Sequence, residues 1–231
     1  MKYNQIFLKS KKVWDNNLKL FPYTTLQYPD DNLVRLFSGG YVKAPQPPAS
    51  VMDHGFGHGN NLVFLANRGY QCSGCEISNY LIKRVQKIFK VIKKPVDLRL
   101  IKGLKIPFKD ESFDAVVSWS VIHYNGTRRA VKKVISELYR VLKPGGTLFL
   151  STIHPKSGFF DRFKLLGNGS YLIQKKSKYD NRQGLTFFVA QSEKELKGLF
   201  NQFSKVKIGS VFVNLFNHTR RNAWFLVNAT K

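Results

Sequence analysis

The chain has 231 residues, of which 38 are Lys or Arg and 14 Asp or Glu, for a formal net charge of +24 at pH 7; it is 43% hydrophobic and 14% aromatic. That apolar share excludes a disordered chain, the length suits one domain with room for elaboration, and no apolar run reaches the roughly 18 residues of a membrane span. The charge would draw polyanions, anionic surfaces or phosphorylated molecules, but the cations are dispersed in "KSKK", "KVIKK" and "QKKSKY" and form no tail, which reads first as a solvated surface.

The N-terminal "MKYNQIFLKSKK" lacks the apolar centre of a signal peptide, so a cytoplasmic protein is expected. Residues 1–50 read as a leader or cap segment, in which Asp30 or Asp31 caps a short helix carrying Leu33, Leu36 and Phe37. The segment closes at "KAPQPPAS", which continues neither a helix nor a central strand. Residues 51–231 then form the main domain. Its first strand ends at Val51-Met52, and the helix "NNLVFLANRGY" follows with Gly69 as its stop.

"YQCSGCEIS" is the second strand. It holds the only two cysteines, Cys72 and Cys75, too few for a disulfide scaffold. A structural zinc site wants four ligands, with His54 and His58 the nearest further candidates; the preferred reading is buried cysteines on a strand and no metal. The next helix is capped by Ser78, turns Leu81, Val85, Ile88 and Ile92 inward and stops at Pro95. "VDLRLI" is the third strand, and "FDAVVSWSVI" begins a fourth. "TRRAVKKVISELYRVLKPGG" is a helix with Val131, Val134, Leu138 and Leu142 inward, and "TLFLSTI" is the fifth strand. From about 155 to 184 the regularity fails, which marks an insertion over the sheet edge. The tail offers the helix "SEKELKGLFNQF" and two strands, "KVKIGSVFV" and "NAWFLVNA", with no helix between them. The expected fold is therefore α/β: a doubly wound, mostly parallel, seven-stranded Rossmann-like sheet with an antiparallel C-terminal strand pair. Its ligand site lies at the carboxyl ends of the strands.

The stretch "VMDHGFGHGNN" sits at that end of the first strand. A dinucleotide turn needs Gly-x-Gly-x-x-Gly, and Asn60 occupies the position that would complete it. Gly55, Gly57 and Gly59 still permit unusual backbone angles and close approach of a ligand. Glu76, 23 residues after Asp53, suits a ribose diol because a carboxylate accepts from both hydroxyls.

Taken in order, "DHGFGHG", "GCEIS", "LKIPFKDESFDAVVSWSVIHY" and "ELYRVLKPGGTLFLSTIHP" resemble the class I S-adenosylmethionine-dependent methyltransferases, especially the ubiquinone/menaquinone-biosynthesis-like group. The resemblance covers roughly residues 50 to 155 and implies S-adenosylmethionine as cofactor. It implies that Asp53, Gly55 and Gly57, with Phe56 in the same turn, line the methionine side, that Glu76 binds the ribose, that Ile77 packs on the adenine and that Ser118 touches the methionyl part. Such enzymes often carry Gly-Asp-Ala where this chain has Ile101-Lys102-Gly103; a lysine cannot accept from the adenine amino group, so backbone atoms around Gly103 and Leu104 take that task.

Methyl transfer to a hydroxyl or protonated amine needs a base at the strand-end rim. His123 after the fourth strand and His154 after the fifth are the catalytic candidates, with backbone-bonded rim histidines as the plain alternative. Trp119 and Tyr124 are candidate pocket walls, and Asp114, at the opposite strand end, is structural. His218 has no assigned role. Arg35 clamps the methionyl carboxylate if the leader helix folds over the cofactor. The expected function is methyl transfer to an O or N atom of a small-molecule, sugar or lipid-precursor acceptor, with an anionic acceptor compatible with the charge. The alternatives are an RNA methyltransferase using the basic surface and a non-catalytic cofactor-binding scaffold; a nicotinamide dehydrogenase is disfavoured by Asn60. Peripheral contact with anionic surfaces fits the charge.

Overall fold

The computed structural model describes residues 3–20, 28–158, 160–174, 182–215 and 220–231. In chain order the elements are α1 (Tyr3–Leu20), α2 (Asp31–Ser38), β1 (Ser50–His54), α3 (Asn60–Asn67), β2 (Gln71–Glu76), α4 (Asn79–Val91), β3 (Asp97–Leu100), β4 (Phe113–Trp119), α5 (Arg128–Val141), β5 (Leu142–Ile153), β6 (Phe163–Gly167), β7 (Ser170–Ile173), β8 (Thr186–Phe188), α6 (Glu193–Lys197), β9 (Lys205–Leu215) and β10 (Arg220–Thr230). Short 3₁₀ turns lie at Ile122–Asn125 and Phe160–Arg162.

Seven strands form one sheet in the order β3-β2-β1-β4-β5-β10-β9. β1 pairs in parallel with β2 and with β4, and β4 in parallel with β5. β10 runs antiparallel to both its neighbours, β5 and β9. The expected fold class is thus the observed one. Strand order reverses between β1 and β4, so the carboxyl ends of these two strands bound the crevice where a doubly wound sheet takes its ligand. β6, β7 and β8 form a separate antiparallel sheet.

Both faces of the main sheet are covered, which is why its strands read as continuous apolar runs. Met52, Val116, Leu148 and Leu150 pack under α5, whose Val131, Val134, Ile135, Leu138 and Val141 are buried. On the other face Val51, Ala115, Val117 and Phe149 meet Leu33 and Phe37 of α2, Leu62 and Leu65 of α3, and Val85 and Phe89 of α4. Cys72 and Cys75 are both buried and belong to opposite faces of β2, one in each cluster.

Four expectations shift. α1 was not foreseen. α4 buries Leu81, Ile82, Val85 and Phe89, with Ile88 and Ile92 only half-buried, and it ends at Val91, short of Pro95. α5 ends at Val141 because Leu142 already pairs with Phe113. The tail helix α6 is confined to Glu193–Lys197. Asp30 is the cap of α2, its side chain accepting from the Asn32 N–H at 3.0 Å. Asp114, at the amino end of β4, bonds the Ser50 N–H at 2.8 Å and Lys143 Nζ at 2.9 Å; the lysine and the Ser50 bonds hold its pKa down to about 2 against the effect of burial, a structural role. His218 lies outside the described residues. Among the described residues no helix is long and apolar enough to cross a membrane.

Candidate active site

The glycine turn leaves β1 directly into α3. Gly55 donates its N–H to Cys75 O at 2.8 Å, which ties the turn to the end of β2. Gly55 and Gly57 both have positive φ, 70° and 55°. A Cβ on Gly55 would collide with Val121 at 2.6 Å, whereas one on Gly57 would meet nothing within 4 Å. Gly57 therefore presents bare backbone to open space, a cradle that any side chain would fill.

That space is a cavity of about 740 Å³ at the carboxyl ends of β1, β2 and β4, toward the upper end of the roughly 300–1,000 Å³ of small-molecule sites. Its first half is bounded by Gly55, Gly57, His58, Glu76, Ile77 and Leu104. The Glu76 carboxylate accepts the Gly57 N–H at 3.0 Å through Oε2 and the Ile77 N–H at 2.6 Å through Oε1. Burial raises its pKa and these backbone N–H groups oppose the rise. Each carboxylate oxygen has a second lone pair, so the group can still accept from a diol.

The second half is aromatic. Trp14 from α1 meets Tyr124 edge-on at 5.0 Å, Trp119 closes β4, and Trp224 comes from β10. Arg182 Nη1 donates to Tyr124 Oη at 2.7 Å. Several polar atoms along the wall are buried with no hydrogen-bond partner among the described residues: Ser10 Oγ, both ring nitrogens of His58 and Trp119 Nε1. Such atoms cost free energy unless a ligand or water meets them. Ser120, at the mouth just past β4, holds φ at 58°, and its N–H donates to Ser151 O at 3.1 Å and Ser151 Oγ at 2.9 Å. Strained non-glycine backbone of this kind gathers at functional sites.

The sequence-derived residues are distributed as follows. Gly55, Gly57, Glu76, Ile77, Gly103 and Leu104 line the cavity together, as do Trp119 and Tyr124. Asp53, Phe56 and Ser118 lie behind its wall. The Asp53 carboxyl is buried with Oδ2 unpartnered, and its pKa is pushed well up by burial and then by the Glu76 charge. Phe56 packs toward Gly74 and the core. Ser118 Oγ is 3.0 Å from Nδ1 of His54. Lys102 is exposed, and Ile101 N–H is spent on Glu76 O.

His123 borders a smaller annex of about 130 Å³ that shares Ser120, Tyr124, Arg182 and Trp224 with the main cavity. Its Nδ1 is 3.3 Å from Thr152 Oγ1, and burial, then the Arg182 charge, lowers its pKa to about 3. His154 is not among the lining residues; its ring stacks on Phe225 at 4.2 Å and its Nδ1 accepts the Lys156 N–H at 3.0 Å. Arg35 sits on the outer side of α2, 3.7 Å from Asp31 with both side chains exposed. The helix that roofs the cavity is α1, through Ile6, Phe7, Ser10 and Trp14. Sequence reasoning missed α1, Ser120, Arg182 and Trp224 as site residues.

Residues 52–150 match the methyltransferase domain family. The probable tRNA methyltransferase 9B of Homo sapiens is 29% identical over 110 residues, 48% of this chain and 22% of that protein. The sterol 24-C-methyltransferase erg6 of Schizosaccharomyces pombe is 35% identical over 119 residues, 46% of this chain and 28% of that protein. The chain therefore spans less than a third of the length of either curated relative. Among solved structures, the 1,6-didemethyltoxoflavin-N1-methyltransferase of Burkholderia thailandensis, with 1,6-didemethyltoxoflavin and S-adenosylhomocysteine bound, superposes with a TM-score of 0.65 at 14% identity, covering 97% of this chain and 87% of that one. The family match is thus confined to residues 52–150, and the solved structure shares the fold. The acceptors that these names carry differ.

Proposed function

We propose that this chain, whose residues 52–150 match the methyltransferase domain family, is a class I enzyme that transfers a methyl group from S-adenosylmethionine to an oxygen or nitrogen of a small-molecule acceptor. The observation that carries the reading is the buried Glu76 carboxylate, held by the Gly57 N–H on the wall of a cavity that also receives the bare turn. Glu76 would take the ribose hydroxyls, Ile77, Gly103 and Leu104 the adenine, and Gly55 and Gly57 the methionyl side, with Asp53, Phe56 and Ser118 supporting from behind. When bound, the cofactor supplies an electrophilic methyl on a positively charged sulfur. The chain's own part is to bind, to exclude water and to align the acceptor. Of the two rim histidines, His123 is the nearer to the cavity, and its lowered pKa keeps it neutral but makes it a weak base near pH 7. The motifs point within class I to the ubiquinone/menaquinone-biosynthesis-like group, and the two buried cysteines suit a cytoplasmic location.

Thermal unfolding with S-adenosylhomocysteine, and separately with NADH, tests this. Ligand at a hundredfold over its dissociation constant adds about 2.7 kcal/mol, a rise of roughly 5–10 °C for a chain of this size. We expect the rise with the homocysteine product alone, and its loss in Glu76→Ala. No rise in the unaltered chain would sink the reading.

A second reading is an RNA acceptor, favoured by the +24 charge and by the likeness to a tRNA methyltransferase. It predicts RNA binding that falls by decades between low and moderate salt.

A further inference from the structure

We propose that the outer face of α4 docks the protein on an anionic phospholipid bilayer; this goes beyond the methyltransferase reading and stands on a different surface. α4 buries Leu81, Ile82, Val85 and Phe89 on one side. Its other side and the turn that follows carry Lys83, Arg84, Lys87, Lys90, Lys93 and Lys94, all exposed. The side chains of these six make no ion pair or hydrogen bond among the described residues. No acid occurs between Glu76 and Asp97. Every other helix with cations also carries an acid: Asp15 in α1, Asp31 in α2, Glu137 in α5, and Glu193 and Glu195 in α6. Lys83, Lys87 and Lys90 stand four and then three residues apart, the spacing at which helical side chains are neighbours and like charges repel. Within the fold that repulsion is uncompensated, and an anionic surface relieves it.

The composition of the face favours lipid over nucleic acid. Five of the six cations are lysines, compact charges on flexible stems that suit a diffuse headgroup layer, whereas nucleic-acid recognition favours the planar arginine fork. Val91 follows Arg84 and Lys87 on the same face and is 80% exposed, and Tyr80, one turn before Arg84, is 37% exposed. An apolar side chain among cations gains from burial at a bilayer interface, and a phosphodiester backbone offers it no such burial. Tyrosine rings concentrate at the headgroup level of bilayers. The apolar side of α4 is committed to the protein core, so contact is by charge with shallow insertion at these two residues. Clusters of about four to eight Lys or Arg on an amphipathic helix hold anionic lipid in this way. Ile77 and Leu81, at the start of α4, line the cavity, which sets the docking face beside the cavity rim.

Sedimentation with vesicles of phosphatidylcholine and phosphatidylserine, beside vesicles of phosphatidylcholine alone, tests this. We expect binding to the mixed vesicles only, and its loss as the Debye length falls from about 10 Å at about 0.1 M salt to about 3 Å at about 1 M. Each cation near an anionic surface strengthens binding roughly fivefold, so Lys83→Gln, Lys87→Gln and Lys90→Gln together should weaken it about a hundredfold. Arg129→Gln, Lys132→Gln and Lys133→Gln together remove the same charge from exposed positions of α5 and should change it less than about threefold. Val91→Ser should weaken vesicle binding severalfold and leave binding to an RNA oligonucleotide unmoved. Thermal unfolding checks that each variant keeps its fold; should the α4 triple variant not fold, Lys87→Gln alone should still weaken vesicle binding roughly fivefold. No binding to mixed vesicles, equal binding to both kinds, equal losses from α4 and α5, or no effect of Val91→Ser on vesicles overturns the proposal. So does an α4 variant that loses RNA and keeps vesicles, which would make the face a nucleic-acid site. The melting rise with S-adenosylhomocysteine does not involve this face, so the methyltransferase reading stands or falls apart from these results.

Discussion

Ser118 Oγ and His54 Nδ1 lie 3.0 Å apart, joining the carboxyl ends of β4 and β1 across the point where strand order reverses. Both residues are buried, and burial lowers the His54 pKa to about 4, so the imidazole stays neutral near pH 7 and needs a partner for that nitrogen. Ser118→Ala leaves Nδ1 unpaired, a cost of about 1–3 kcal/mol, and should lower the melting midpoint by several degrees. Because the Ser118 side chain is spent on His54, S-adenosylhomocysteine affinity should change less than threefold. Calorimetric titration beside thermal unfolding checks both halves of the statement.

The glycine turn separates folding from binding. Placing a side chain at positive φ costs roughly 1–2 kcal/mol, and this applies to Gly55 and Gly57 alike. Only at Gly55 does the added Cβ also strike Val121, where overpacking typically adds about 1–3 kcal/mol. Gly55→Ala should therefore be the less stable protein, measured by denaturant midpoint. Gly57→Ala sends its methyl into the cavity and should be the weaker binder of S-adenosylhomocysteine. The opposite ranking on either assay would contradict the turn's assignment.

The glycine turn and its acidic partner were legible from the residues themselves. The turn and Glu76 follow one another within a single strand-helix-strand unit, and spacing alone brings Gly57 to the carboxylate. The doubly wound sheet followed from strands and helices in alternation. Arg182, Trp14 and Trp224 could not be read the same way, because they come from three separate elements that meet only once the sheet is wound. Strain at Ser120 leaves no mark in the sequence, since serine carries no preference for positive φ. α1 did leave a mark: Ile6 and Val13, and Phe7 and Trp14, repeat at seven residues, but the lysines between them dilute the apolar face. Arg35 shows the converse error of distance, for its helix packs on the core while α1 reaches the cavity.

Beside its apolar packing, α1 is tied to the start of α4 by a single hydrogen bond. The Ser78 hydroxyl donates to Asp15 Oδ1, so Ser78 begins α4 without capping it through its side chain. Trp14, the neighbour of Asp15, contacts Tyr124 on the far side of the cavity. Asp15→Ala and Ser78→Ala each cut the same tie, so their effects on stability should be non-additive, with a coupling of about 0.5–3 kcal/mol in a double-mutant cycle. Loosening the roof should also speed release of S-adenosylhomocysteine in both variants, read by stopped-flow tryptophan fluorescence. Additive losses with unchanged release would mean that α1 packs there without gating the site.

His123 gives the fold an acid-sensitive element. Its folded pKa is lowered from 6.5 to about 3, by burial first and then by Arg182, so below pH 6.5 the unfolded chain binds a proton at this residue that the folded chain does not. Its contribution is present in full above pH 6.5 and is lost progressively as the pH falls toward 3. His54 acts with the same sign down to about pH 4. Asp53 and Glu76, with raised pKa values, act with the opposite sign, so the stability curve of the unaltered chain mixes both. His123→Gln isolates the one residue, because the other groups cancel in the difference. The stability of the unaltered chain relative to this variant should be greatest above pH 6.5 and shrink on acidification, measured by urea unfolding at a series of pH values. A difference that stays constant across that window would mean that His123 keeps its ordinary pKa in the folded protein, returning it to the position of a competent base near neutral pH.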